Sequence, residues 1–193
     1  VTLSAITANF SVSTSDLLEL AKSYSSSTVT AGGAVDVEYT VTNLSSSYDI
    51  SALAFSDSFD PGMVVAATPN ASTTCTGGTL TATASAGSIS YSGGSISQGS
   101  SCTVSVSLTA PTAAGSYSGE TSEVTGSASG ASVTGTAASA ALTVQSANPP
   151  AFSKSFADSA LAAGGSTTLT YQISNPASGG SLSGLRFSDD LDA

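Results

Sequence analysis

Polar and apolar residues alternate along much of this chain, and the clearest run lies between Val35 and Thr42. Val35, Val37, Tyr39 and Val41 occupy every second position there, and acidic residues or a threonine separate them. A period of two places these side chains on one face of an extended segment, so the run predicts a strand with one buried and one solvated face. Shorter runs of the same kind are marked by Phe10 and Val12, Leu53 and Phe55, Met63 to Ala66, Cys102 to Leu108, Tyr117, Val124, Val133, and Leu142 and Val144.

One stretch of the chain is present twice, because a shift of 132 positions carries Lys22 onto Lys154 without a gap. The same shift carries Gly32-Gly33 onto Gly164-Gly165, Tyr39 onto Tyr171, Asn43 onto Asn175, Leu53 onto Leu185, and Phe55-Ser56-Asp57 onto Phe187-Ser188-Asp189. A fixed period is the signature of tandem like units, and this unit has the size of a domain. We therefore expect residues 1–13 to be the last strand of a preceding repeat, 14–145 a complete repeat and 146–193 the first strands of the next, in a window cut from a longer protein.

Turn-forming residues separate the predicted strands. A Gly/Ser/Thr-rich tract from Thr76 to Ser101 predicts short hairpins between glycine turns. Ser15-Asp16 is typical of a helix start, but its counterpart region contains Pro149-Pro150, which cannot continue a helix, so we expect an extended connector in both places. Many short strands with no convincing helix predict an all-β sandwich.

Composition narrows the function classes. Three basic residues face thirteen acidic ones, for a formal net charge of −10, which argues against nucleic acid or an anionic membrane as a partner. Hydrophobic residues make up 40 % of the chain and they alternate, so the sequence favours a folded protein over a disordered one. The chain has no histidine, so the usual general base of enzymes is missing and we expect no catalytic activity.

The two cysteines, Cys75 and Cys102, both fall in the complete unit. Without histidine they do not form a structural zinc site, which usually has four ligands. We predict a Cys75–Cys102 disulfide formed in an oxidising compartment, which would staple both ends of the glycine-rich tract.

The phrases at residues 149–156 (Pro-Pro-Ala-Phe-Ser-Lys-Ser-Phe) and 162–175 (Ala-Ala-Gly-Gly-Ser-Thr-Thr-Leu-Thr-Tyr-Gln-Ile-Ser-Asn) resemble the conserved-repeat domains of large bacterial cell-surface proteins, of the immunoglobulin-like "domain of unknown function eleven" type. Residues 22–62, 69–75 and 99–106 match the same pattern. The resemblance implies secretion, immunoglobulin-like β-sandwich repeats in tandem, and a spacer or filament role. One departure is Gly119, which stands where that family often has an asparagine after a Gly-x-Tyr sequence.

Lys22 and Lys154 are the only lysines, and they occupy equivalent positions in the two copies of the repeat. One interpretation is an ion pair that anchors the first strand of each unit, with Asp57 and Asp189 as the acids. The other follows from similar pilin and adhesin domains, in which a first-strand lysine forms an isopeptide bond with an asparagine or aspartate beside a buried acid. Asn148 is then the candidate amide, because Gly119 removes the family's alternative.

An acidic corner follows the third predicted strand of each copy, with Asp57 and Asp60 in the first and Asp189, Asp190 and Asp192 in the second. Carboxylate oxygens are the ligands that Ca²⁺ prefers, so a calcium site that stiffens the junction between units is one interpretation. Turn-capping aspartates, which bond to their own backbone, are the other. No other cofactor is expected.

These observations predict a structural protein, a rigid rod of sandwich units from an extracellular filament, stalk or giant surface adhesin. Its partners would be adjacent repeats of the same protein, through tandem linkage or self-assembly. The alternative is an adhesion module that binds a glycan or a host protein through exposed loops such as Thr76 to Ser101, although Tyr91 is the only aromatic residue in that tract.

Overall fold

The computed structural model describes residues 17–146, 149–176 and 184–190. Those residues form fifteen β-strands, and none of them forms a helix of the length and apolar character that crossing a membrane requires. The strands are β1 (Leu18–Tyr24), β2 (Thr28–Thr30), β3 (Ala34–Asn43), β4 (Ile50–Ser58), β5 (Val64–Val65), β6 (Ser72–Thr73), β7 (Thr76–Thr81), β8 (Ser88–Ile96), β9 (Ser101–Thr109), β10 (Gly115–Tyr117), β11 (Val124–Ala128), β12 (Ala131–Gly135), β13 (Leu142–Gln145), β14 (Ala151–Phe156) and β15 (Leu169–Ser174).

Two five-stranded sheets make up the sandwich. The first has the order β1-β3-β9-β5, with β6 also paired to β9, and the second has the order β12-β11-β4-β8-β7. A three-stranded sheet, β10-β13-β2, adds to the same unit, and β14 pairs with β15 in a separate two-stranded sheet. The predicted all-β sandwich is confirmed. Only one complete sandwich lies within the described ranges, so tandem repetition stays a prediction.

Strand β3 shows how the alternating sequence builds the core. Its residues Val35, Val37, Tyr39 and Val41 are at most 4 % exposed, as the period of two predicted, while the acidic residues between them face solvent. The pairing of β3 with β9 sets Val41 opposite Cys102 and continues the apolar face onto the neighbouring strand. This face packs against the inward residues of β4 and β8 in the other sheet, which is the usual construction of a sandwich core.

The segment expected as an extended connector is in part a core strand. From Leu18 the chain pairs with β3 over seven residues, and it buries every second side chain, Leu18, Leu20 and Lys22. The extended conformation was predicted correctly, but its role was not. The leucine pattern Leu17-Leu18-Glu19-Leu20 is too short and irregular to show a period of two without the paired strand beside it.

The tract from Thr76 to Ser101 is one hairpin, β7–β8, and not several short ones joined by glycine turns. Its glycines lie largely inside the strands, where they make room for a buried tyrosine. The Tyr91 side chain is 1 % exposed, and its hydroxyl donates to the carbonyl of Gly77 at 2.9 Å. A Cβ added at Gly94 would lie 2.0 Å from that hydroxyl, so only glycine fits beneath the ring.

The predicted disulfide is present between Cys75 and Cys102, whose Cα atoms are 4.8 Å apart. Cys75 lies immediately before β7, and Cys102 lies on the inward face of β9, so the bond ties the start of the hairpin to the opposite sheet. Closing a loop of 27 residues stabilises the fold by about 3–4 kcal/mol on the chain-entropy account.

The chain enters and leaves the sandwich at opposite ends. At the incoming end, the carbonyl of Leu17 accepts a hydrogen bond from the amide of Leu44, just beyond the last residue of β3. At the outgoing end, the carbonyl of Gln145 accepts from the amide of Ala31, just before the first residue of β3. Since β3 has ten residues, about 30 Å separate the two ends.

Candidate functional site

Three polar side chains meet inside the sandwich, and each comes from a different strand. Lys22 on β1 and Tyr39 on β3 are directly opposite each other in the antiparallel pairing of these strands. Asp57 lies on β4, which belongs to the facing sheet. The alternation of each strand turns its polar residue inward, so the cluster links one sheet to the other through the core.

The contacts within this cluster are short and direct. The Nζ atom of Lys22 lies 2.7 Å from Oδ2 of Asp57, and the two side chains have 0 % exposure. The Tyr39 hydroxyl donates to the same Oδ2 at 2.5 Å. Lys22 Nζ also donates to the backbone carbonyl of Gly119 at 2.9 Å. Among the described residues, Oδ1 of Asp57 has no hydrogen-bond partner.

Aromatic rings surround the cluster and reduce its contact with water. The Tyr24 ring centroid is 5.6 Å from Lys22 Nζ, and the Tyr39 and Phe55 rings are 5.2 Å apart. Burial, with the nearby charge of Asp57 as a further cause, raises the pKa of the Tyr39 phenol well above its usual range. Burial also raises the pKa of Tyr24 to about 12, and the Asp57 and Asp60 carboxylates add to this effect. Both tyrosines are therefore neutral donors at physiological pH.

The arrangement acts as a structural ion pair. Removing two charges from water is costly, and a buried pair offsets this cost only with short contacts and additional hydrogen bonds, which Tyr39 and Gly119 supply. Because neither Lys22 nor Asp57 is exposed, a dissolved substrate does not reach them. The contribution of the site is to hold the two sheets in one relative position.

A second pair has the same arrangement between the hairpin β14–β15 and the segment 184–190. Lys154 Nζ lies 2.6 Å from Oδ2 of Asp189, and the Tyr171 hydroxyl donates to that same oxygen. The hydrogen bonds from Lys154 and then from Tyr171 hold the pKa of Asp189 below its ordinary value. These lysine and aspartate side chains are 33 % and 23 % exposed, so this cluster is open to water where the first is closed.

The structure thus brings together both pairs of residues that the sequence singled out, Lys22 with Asp57 and Lys154 with Asp189. Asn148, the candidate amide for an isopeptide bond, lies outside the described residues. Lys22 Nζ donates to the carbonyl of Gly119. The position that departs from the resembling family is therefore the one in contact with the lysine.

The calcium interpretation has no geometric support in the part of the chain that the structure describes. There, no group of three or more acidic, histidine or cysteine side chains is arranged to hold a metal ion. Asp57 is directed into the core and Asp189 towards Lys154, so both carboxylates already bind a lysine. Asp192 lies outside the described residues.

The alternating pattern alone does not identify Tyr39 as a member of the cluster, because it places Tyr39 only on the apolar face of β3. The signal was available, since the shift that superposes the lysines and aspartates also carries Tyr39 onto Tyr171. Tyr24 was not recognised either, and its counterpart is Phe156. At that position the repeat retains the ring but not the hydroxyl.

The chain belongs to the family described as Domain of unknown function (DUF7933), whose match covers residues 19–144. The resemblance noted in the sequence is therefore confirmed in part. It correctly indicated a β-sandwich fold, and the family whose model matches is DUF7933. A search of curated proteins found no matching relative.

Solved structures share this fold at very low sequence identity. BcpA, the major pilin subunit of Bacillus cereus, is 4 % identical with a TM-score of 0.50, over 70 % of this chain and 42 % of that one. The major pilin SpaD of Corynebacterium diphtheriae is 8 % identical with a TM-score of 0.50, over 64 % of this chain and 35 % of that one. A cohesin module from a Clostridium perfringens family 33 glycoside hydrolase is 9 % identical with a TM-score of 0.49, over 66 % and 97 %. This chain thus spans less than half of either pilin, and the likeness concerns the fold alone.

Replacing Asp57 with asparagine should be strongly destabilising, because Lys22 would remain buried without a carboxylate. We expect Asp57→Asn to lower the free energy of unfolding by about 3–5 kcal/mol in urea denaturation. The double variant Lys22→Met with Asp57→Leu should recover most of that loss, since it removes both charges together. Glu38→Gln, on the solvated face of β3, is the control and should unfold at the wild-type midpoint. An Asp57→Asn protein as stable as the wild type would contradict a structural ion pair.

Gly119 leaves room for an acyl group beside Lys22. A Cβ added there would lie 3.6 Å from Nζ, in ordinary contact, so Gly119→Asn would present its side-chain amide to the amine. Lys22 first passes its extra proton to Asp57, and the neutral amine then attacks the amide carbon. The bond to the amide nitrogen breaks as Asp57 protonates that nitrogen to ammonia, and Asp57 takes up a proton from the former lysine nitrogen. We expect intact-mass spectrometry of this variant to show a loss of about 17 Da relative to its disulfide-bonded sequence.

The wild-type protein and Gly119→Ala should both retain the full mass less the two hydrogens of the disulfide, because neither has an amide at position 119. A Gly119→Asn protein of unchanged mass after prolonged incubation would show that the lysine is not oriented for attack. A loss of about 17 Da from the wild type would instead restore Asn148 as the acceptor.

Tyr24 should make stability fall with rising pH in alkaline solution. Its pKa is about 12 in the folded protein and 10.0 ordinarily, so the folded state binds more protons than the unfolded state between these values. The stabilising contribution is therefore complete below pH 10.0 and is lost as the pH approaches about 12. Urea denaturation from about pH 9 to about pH 12 should give a shallower decline for Tyr24→Phe than for the wild type. Parallel curves would contradict this assignment.

Proposed function

We propose that this chain is a load-bearing module of an extracellular bacterial surface protein, in which like units follow one another head to tail as a rod. The observation that carries the proposal is the placement of the two ends. The chain enters beside Leu44 and leaves beside Ala31, about 30 Å apart along the full length of β3. Units joined in this way extend along one line, which suits a filament, stalk or adhesin spacer.

The geometry of the hairpin β14–β15 supports head-to-tail repetition at a period of 132 residues. Lys154 is opposite Tyr171 in its register, as Lys22 is opposite Tyr39 in β1–β3. The Tyr171 and Phe187 rings are 5.0 Å apart, close to the 5.2 Å between Tyr39 and Phe55. Adjacent units of the same protein are then the partners of each module.

Pulling on this module through its two ends loads hydrogen bonds in shear. Strand β1 starts at the incoming end and is bonded to β3 over seven residue pairs, so all of these bonds resist together. At the outgoing end, β13 is parallel to β2 and is bonded to it as well as to β10. The buried contacts of Lys22 connect the first loaded strand, β1, to the opposite sheet.

Other properties agree with an extracellular structural role. The Cys75–Cys102 disulfide suits an oxidising compartment, and the fold is one that pilin subunits also use. The alternative, recognition of a glycan or a host protein through residues 76–101, has less support. Most of those residues form sheet strands, and the Tyr91 ring is in the core, where it cannot stack on a sugar.

Single-molecule force spectroscopy tests the load-bearing role. With handles at residue 17 and residue 146, we expect one cooperative event whose length excludes the disulfide loop. Reduction of Cys75–Cys102 should lengthen this event by about 90 Å, because 27 residues at about 3.5 Å each are released from a 4.8 Å span.

The matched control pulls the same protein in a different direction. Handles in the loop of residues 44–49 and at the turn Ser129–Gly130 both lie at the incoming end, so strands are peeled apart one bond at a time. We expect a clearly lower unfolding force in this geometry. Equal forces in the two directions would contradict a fold arranged to carry tension from end to end.

A further inference from the structure

The hairpin β14–β15 and the segment 184–190 carry a large exposed apolar surface. Phe152, Phe156, Ile173, Leu185 and Phe187, here called the acceptor face, are between 40 % and 55 % exposed. Contacts between rings hold the face together, with Phe152 and Phe187 5.3 Å apart. An open groove of about 280 Å³ lies beside Phe152, Ile173 and Leu185. A contiguous patch of this kind on a protein surface indicates an interaction site.

Every residue of the acceptor face has a counterpart in the complete sandwich at the shift of 132 residues. Leu20, Val41, Leu53 and Phe55 correspond to Phe152, Ile173, Leu185 and Phe187, and they are at most 5 % exposed. Tyr24, the counterpart of Phe156, is partly buried against the same core. The acceptor face is therefore built like the inner face of a sandwich.

The complete sandwich also shows what covers such a face. Strand β9 pairs with β3 and sets Cys102 beside Val41, and strand β8 pairs with β4 and sets Tyr91 beside Phe55. The Phe55 and Tyr91 rings are 6.0 Å apart. In the described part of the chain, β15 pairs only with β14, so its other edge has no strand where β3 has β9.

We propose that the acceptor face is a docking surface for a set of β-strands of the same kind as residues 62–144. A strand like β9 adds to the open edge of β15, and a strand like β8 adds beside residues 185–189. Backbone hydrogen bonds provide the pairing, and alternating apolar side chains fill the groove. The inference rests on the proposed head-to-tail arrangement and names what completes each unit.

A second copy of this chain is a poor source for these strands. In each copy β9 is already paired on both sides, with β3 on one and with β5 and β6 on the other, and β8 lies between β4 and β7. Withdrawing them would expose Val104, Val106 and Leu108, which have 0 % exposure. The copies also share a net charge of −10, which opposes close association. The occupant is therefore a strand set that is not already part of a closed sandwich.

The test supplies that strand set directly. Residues 62–144 are joined after Ala193, because Ala193 is the counterpart of Pro61 at the shift of 132 residues. We expect amide hydrogen exchange at residues 169–174 to slow by about a hundred-fold or more relative to the unfused chain. The appended cysteines should form a second disulfide, so no free thiol remains for alkylation. The first sandwich, followed through residues 35–43, is an internal control for folding.

A matched fusion carries Val104→Asp and Val106→Asp in the appended segment only, and its residues 169–174 should exchange as fast as in the unfused chain. Rapid exchange in the unmodified fusion would overturn the proposal. So would a concentration-dependent dimer of the unfused chain with slow exchange at residues 169–174, since a second copy would then be the occupant. Either result leaves the force measurement on residues 17–146 unaffected, so failure here is distinct from failure of the load-bearing role.

Discussion

The buried contact between Lys22 and Asp57 is the constraint on which the rest of the sandwich depends. An apolar core tolerates small shifts of one sheet over another, because dispersion contacts have little directional preference. A lysine and an aspartate with 0 % exposure do not tolerate such shifts. Each must lie within about 3 Å of its partner, because otherwise it would be an unpaired charge in the core. The Tyr39 hydroxyl and the Gly119 carbonyl occupy further sides of the pair, which narrows the permitted geometry again.

This constraint also fixes the register of the strands. A slip of β1 by one residue relative to β3 would turn Lys22 to solvent and bury Glu19, Ala21 and Ser23 in the place of Leu18, Leu20 and Lys22. The loss of the ion pair adds to the loss of apolar burial, so the native pairing is separated from its alternatives by two independent penalties. The strands of this chain are rich in serine, threonine and glycine and are otherwise much alike. The ion pair therefore distinguishes the native strand pairing from the alternative pairings.

The sequence was sufficient to predict the fold class, the alternation of β3 and β9, and the pairing of the two cysteines. The first two follow from the local period of two, and the third follows because the chain has only two cysteines. It was insufficient for the glycine-rich tract. The requirement for glycine at position 94 depends on the Tyr91 ring packing directly against it, and the local sequence gives no sign of that contact. The cluster of Lys22, Tyr39 and Asp57 could be predicted from the sequence only in part. Repetition identified Lys22 and Asp57, whereas the roles of Tyr39 and Gly119 follow from strand pairing and from a backbone carbonyl that no sequence pattern records.

The second cluster separates what is local in this geometry from what is not. Lys154, Tyr171 and Asp189 come from the hairpin β14–β15 and the segment after it, and they meet although the acceptor face beside them is open. The lysine–aspartate–tyrosine contact therefore needs only the first third of a unit, where the three residues are near enough in sequence to keep the entropy of closure low. Exclusion of water needs the later strands, which reduce the exposure of the lysine from 33 % in the open cluster to 0 % in the closed one. The early strands set the geometry of the pair, and the closing strands, by removing water, convert a weak surface contact into a buried one whose disruption is costly.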